Sequence, residues 1–87
     1  RLEAGSFMDC GMFIQSVMLA ARGQGLHTCP QASWIVTPGP VYRHLDIPDD
    51  QMLVVGIALG HADETAIENT LVSAREPVEA IARFHGF

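Results

Sequence analysis

From Ser6 to Arg22 the apolar positions form no single stripe: Phe7, Met8, Met12, Phe13, Val17 and Leu19, with Cys10, Ile14 and Met18 between them, occupy nearly every face of a helical wheel. The pattern predicts a helix over 6–23, apolar and therefore buried all round. Ser6 can cap its start, Asp9 places a carboxylate in the first turn where the helix dipole favours it, and Gly23 and Gly25 supply the stop. Gly11 costs such a helix roughly 0.5–1 kcal/mol relative to alanine, which implies close approach of another backbone there. Further on, "TPGPVYRHLDIPDD" predicts a short helix over 38–46, with Thr37 as cap, Pro38 or Pro40 in the first turn and an end before Pro48. "QMLVVGIALG" predicts a strand over 51–60, aliphatic on both faces and so central in a sheet: Leu53, Val55, Ile57 and Leu59 face one way, Met52, Val54 and Ala58 the other. His61 to Arg75 shows no period and reads as a loop, and "EPVEAIARFHGF" as a turn of helix begun at Pro77 with an extended tail.

A buried strand needs neighbours, and only Gly25–Cys29 and Ala80–Phe84 offer extended pieces. The rest of the sheet is expected from residues outside these 87 or from a second copy, because an unpaired buried ladder is costly. Composition points the same way. A chain of 87 residues makes one domain and buries only about 60–65% of its unfolded surface, yet 48% of it is apolar and 17% charged. Surplus apolar surface implies a partner surface. Ten acids against five arginines, with no lysine and a net charge of −5, argue against a nucleic-acid partner, which demands clustered positive charge. Cys10 and Cys29 form neither a redox pair nor half of a zinc box, and the four histidines fall on no metal-ligand spacing, so no metal is expected. The longest apolar run, Met12–Ala21, is broken by Gln15 and Ser16 and falls short of the ~20 residues a bilayer crossing needs. No membrane association and a cytoplasmic location are the expectation. The opening on Arg1 rather than methionine suggests the tail of a longer protein or a shortened product.

Taken in order, "MDCGMFIQSVMLAARGQGLHTCPQASW", "HLDIPDDQMLVVGIALGHAD" and "REPVEAIARFHGF" resemble the C-terminal half of the nitroreductase family of FMN-dependent oxidoreductases. Four elements carry the resemblance: the D-x-G at Asp9–Gly11 opening an aliphatic helix, the "AARGQGL" exit, the "IPDDQMLVVGIALGHAD" unit and the terminal R-E-P…F-H-G-F. It implies an α+β fold, one partial domain of an α-β-α sandwich, in an intertwined homodimer with FMN at the interface. NAD(P)H would reduce the FMN, and nitroaromatics or quinones would accept the electrons. Helix 6–23 would lie in the dimer core, and the tail 76–87 would cross to the other subunit's sheet.

The resemblance also gives a role to the segment 29–34, which on its residues alone reads as a plain connector between helices. Pro30, Gln31, Ala32 and Ser33 would lie against the flavin, main-chain N–H groups toward the N5 and O4 edge where negative charge gathers on reduction. Arg75 would neutralise the FMN phosphate, a guanidinium fork suiting that group. Two family features have no counterpart: a further arginine just upstream, where Thr70, Leu71 and Val72 stand, and a basic R-x-S-x-R-type stretch. The chain alone is thus expected to hold FMN weakly and to show little reductase activity. A stand-alone dimerisation or interaction module that has lost the cofactor site is the alternative. No side chain is assigned a catalytic role, since the hydride chemistry is the cofactor's. Trp34 either covers one side of the pocket or serves as an interface aromatic, and Cys29 reads as a small buried hydrophobe.

Overall fold

The exit from the first helix sets the course of the chain after it. In the computed structural model, which describes residues 3–87, α1 runs Ala4–Gly23 and Gln24 closes it. Gly25 takes φ +77°, and the N–H groups of Gly25 and Leu26 donate back to the carbonyls of Arg22 (3.0 Å) and Ala21 (2.9 Å). These are the two bonds of a Schellman turn, whose left-handed residue is best a glycine. Of the two expected stops, Gly25 makes the turn and Gly23 is the last helical residue.

The other end differs from the sequence reading. The helix starts two residues early, Ser6 lies inside it, no side chain caps it, and no acid falls in its first turn. Asp9 is thus one turn further in. The apolar wheel is as expected but it is not covered: Phe7, Met8, Met12, Phe13 and Leu19 are all more than half exposed, and Ala21 is the one buried apolar residue among those described. A β-carbon on Gly11 would meet nothing within 4 Å, so among the described residues no other backbone approaches there. With 20 residues, α1 is also long and apolar enough to cross a bilayer, which the interrupted run Met12–Ala21 did not suggest.

Beyond the turn, β1 (His27–Gln31) pairs antiparallel with β2 (Gly56–Gly60), from His27 opposite Gly60 to Gln31 opposite Gly56. The first extended piece therefore does flank the aliphatic strand. The strand itself is shorter than 51–60, and β2 has one neighbour among the described residues rather than a central place. The reason lies in α2 (Gly39–His44). Its Tyr42 hydroxyl donates to the Gln51 carbonyl (3.1 Å) and accepts the Leu53 N–H (2.8 Å), so the backbone before β2 is tied to a helix instead of a ladder. Only one face of the aliphatic run is sheltered, and only in part: Leu53, Val55 and Ile57 are half-buried and Leu59 on the same face is exposed, while Met52, Val54 and Ala58 on the other face are all exposed.

α2 is shorter than 38–46 and has Pro38, not Thr37, at its cap position, with Pro40 in the first turn. It ends in a second left-handed turn, Asp46 at φ 50°, with Ile47 N–H donating to the Tyr42 carbonyl (3.0 Å). The stretch expected as loop holds a 3-10 turn at Ile67–Thr70. α3 (Val78–Ile81) follows Pro77 as read, and Ala82 returns to extended backbone, but Ala80–Phe84 joins no sheet. The architecture is α+β, and loose. Its radius of gyration is 17.2 Å, where a compact chain of this length has about 12 Å. Its accessible surface is 7953 Å², where a folded monomer of this mass exposes about 5,000 Å².

Candidate functional site

The end of the β1–β2 ladder is where the candidate residues gather. Pro30 and Gln31 are the last two residues of β1, and Ala32 and Ser33 open a 3-10 turn, Ala32–Ile35, so the segment read as a loop is strand followed by helical turn. The leading N–H groups of a helical turn have no partner inside it. Those of Ala32 and Ser33 lead this one, while Pro30 has no N–H to offer.

Behind this corner opens a hollow of about 670 Å³ with Gln31, Trp34, Val41, His44, Leu53 and Ile57 among its walls. One wall is β2, another α2, and the Tyr42 hydrogen bonds tie α2 to the segment that leads into β2. Trp34 forms the rim. Its indole lies on Gly56, the residue paired with Gln31, and its Nε1–H points to Gln31 Oε1 at 3.4 Å. Sequence reasoning left Trp34 undecided and passed over Gly56 and Tyr42. The available signal was a glycine inside an aliphatic run, which marks close approach of another group to the backbone.

Arg75 is not among the hollow's walls. Its Nη1 donates to the carbonyls of Ser73 (3.3 Å) and Ala74 (3.1 Å) and to the Ser73 hydroxyl. On the opposite edge, His27 opens β1, accepts the Ala62 N–H at Nδ1 (3.2 Å) and sets Nε2 3.0 Å from Arg22 Nη1, joining the α1 exit to the end of β2. Cys29 is exposed rather than buried. For a flavin the fit is divided. The hollow has the size and apolar walls of a small-molecule pocket, about 300–1,000 Å³, which suits a flat ring, but of the four candidate residues Gln31 is the one that lines it, and Pro30, Ala32 and Ser33 are not among its walls. A phosphate finds no arginine among the walls of the hollow, where His44 is the ionisable side chain.

Comparison with known proteins identifies the class. Residues 1–61 match the model of the nitroreductase family, and the chain belongs to that family. It is 43% identical over 84 residues to chloronitrobenzene nitroreductase of Comamonas testosteroni, covering 97% of this chain and 37% of that protein. It is 41% identical over 87 residues to 4-nitrobenzoate reductase of Pseudomonas putida, covering 100% of this chain and 38% of that protein. The chain thus spans under two fifths of the length of these curated relatives. Among solved structures, a tyrosine variant of the FMN- and NADPH-dependent nitroreductase NfnB from Sphigopyxis sp. strain HMH aligns with a TM-score of 0.92 at 37% identity, over 99% of this chain and 40% of that one. A two-stranded sheet with only partial cover therefore corresponds to about two fifths of the solved nitroreductase chain.

Proposed function

We propose that this chain supplies one part of the flavin site of an NAD(P)H-dependent nitroreductase acting on nitroarenes or related acceptors, in an assembly of two copies. The family match over residues 1–61 carries the reading, and the hollow behind the β1–β2 corner supports it. The amides of Gln31, Ala32 and Ser33 would hold the ring edge, the walls of the hollow would exclude water, and Arg75 would meet the phosphate. FMN, when bound, supplies the hydride chemistry; the residues here bind and orient it. Dimerisation has its own support in the bare apolar wheel of α1.

Flavin titration tests both contacts. Riboflavin and FMN share the ring and differ in the phosphate, so each is titrated into the chain and followed by flavin fluorescence. Weak binding of both is expected, with FMN the tighter by about tenfold or more, as one charge-assisted contact of ~1.5–3 kcal/mol implies. Arg75→Ala should make the two equal. If wild type already holds them equally, Arg75 does not meet the phosphate. If neither binds and the chain still self-associates, the chain is the interaction module instead, a reading favoured by a hollow that Arg75 does not line.

A further inference from the structure

We propose that Trp34 is a positioning residue: seated on Gly56 and tied to Gln31, it sets the aim of the Ala32 and Ser33 amides. The proposal deepens the flavin reading above and rests on it for what the amides hold, but the lock itself stands on geometry. Gln31 and Gly56 face each other as the final pair of the ladder. One residue past that pair the chain leaves the sheet, and two residues later Trp34 folds its ring back over the pair. A β-carbon on Gly56 would run into Trp34 Cδ1 and come within 2.7 Å of Nε1 and 3.0 Å of Cγ, so the indole occupies the space any side chain there would take. These are ring atoms, which cannot flex aside as the end of a long side chain can. On the other side the ring N–H is directed at the Gln31 side-chain oxygen, 3.4 Å away.

Ala32 and Ser33 are the two residues strung between these fixed points. Gln31 is held in the ladder with extended φ −129° and ψ 101°, Trp34 is held by the Gly56 surface, and Val36 N–H closes the turn on the Ser33 carbonyl (3.2 Å). With both ends set, the two intervening peptide planes have little freedom. Removing the indole from Gly56 therefore frees one end of this segment and lets the Ala32 and Ser33 N–H vectors reorient, whereas residues earlier in β1 are held by their own partners.

The test uses the ¹⁵N-labelled chain as wild type, Gly56→Ala, Trp34→Ala and the double variant, read by amide and Gly56 Hα chemical shifts. In wild type the ring current of the indole should displace the Gly56 Hα resonances. Gly56→Ala should expel the ring, seen also as a red-shifted emission of the chain's single tryptophan, and move the Ala32 and Ser33 amides while cross-strand contacts at Cys29–Ala58 persist. Trp34→Ala involves no collision and guards against a misfolded Gly56→Ala. It should move the same amides, and the double variant should match Trp34→Ala alone, since the two changes act through one contact. Unmoved Ala32 and Ser33 amides in Trp34→Ala, or absence of the ring-current shift in wild type, would overturn the proposal. A riboflavin titration then separates the lock from the flavin reading. Riboflavin that perturbs these amides in wild type, with affinity falling by up to about tenfold in Trp34→Ala as one lost amide hydrogen bond implies, supports both. Equal affinity in wild type and Trp34→Ala overturns the positioning role, and no perturbation of these amides by riboflavin overturns the flavin reading while the amide shifts alone decide the lock.

Discussion

Asp46 holds a backbone conformation that its side chain makes expensive. At φ 50° it closes α2 in the left-handed region, where Gly25 does the same for α1 without a β-carbon in the way. Asp46→Gly should therefore stabilise the chain by about 0.5–1 kcal/mol, part of the left-handed cost being offset by the greater freedom of glycine when unfolded. A rise in the urea midpoint with unchanged slope would show it. Asp63 is a different case, an exposed carboxylate held by local donors. Thr65 donates to Oδ1 from both its hydroxyl (2.7 Å) and its N–H (2.9 Å). These bonds, the hydroxyl's foremost, lower the Asp63 pKa below the usual carboxylate value, outweighing a slight opposing effect of desolvation. Because the folded form favours the charged state, its stabilisation is complete above the unfolded pKa and drains away as pH falls through the lowered folded one. Asp63→Asn keeps an acceptor for Thr65 but cannot titrate. Its melting temperature should accordingly fall less steeply than that of wild type on the acid side of the usual carboxylate range, and parallel acid limbs would contradict the assignment.

At the scale of elements, the side chain that shapes the hollow is Tyr42. Its hydroxyl serves two backbone groups of the segment before β2, and Tyr42→Phe would strand the Leu53 N–H and the Gln51 carbonyl. A half-buried donor left without a partner costs about 1–3 kcal/mol. Faster amide exchange at Leu53, with exchange in β1 unchanged, is the expected sign. Tyr42 also explains where sequence reading of the strand stopped short. An aliphatic run such as Met52–Leu59 announces extended, apolar chain, but a single phenol far along the sequence decides which half joins the ladder. α1 was legible because twenty residues of apolar, helix-forming sequence closed by Gly25 leave little choice, whereas its start was not, because Ser6 competes with no capping bond strong enough to fix it. The candidate site was half legible. The Pro30–Ser33 segment came from resemblance and reaches a hollow through Gln31, but the contact that shapes it joins Trp34 to Gly56, which the antiparallel register brings opposite Gln31.

For the whole molecule the governing quantity is surface. The accessible 7953 Å² exceeds the amount for a folded monomer of this mass by roughly 3,000 Å², or about 6,000 Å² over two copies, which is at or above the ~2,000–5,000 Å² that obligate interfaces bury over both partners. Much of what is bare lies on α1, where Phe13 is 69% exposed. Phe13 therefore separates folding from assembly better than a half-covered position would. In an isolated chain, aspartate there meets water and costs little beyond helix propensity, a few tenths of a kcal/mol. If two copies pack through α1, the same change removes roughly 1.5–3 kcal/mol of apolar burial per site and places an unpaired carboxylate in the interface. Wild type should sediment as an assembly at micromolar concentration and Phe13→Asp as a monomer with near-native helical circular dichroism. A wild-type chain that sediments as a monomer across that range would show that the bare wheel of α1 is not covered by a second copy of this chain.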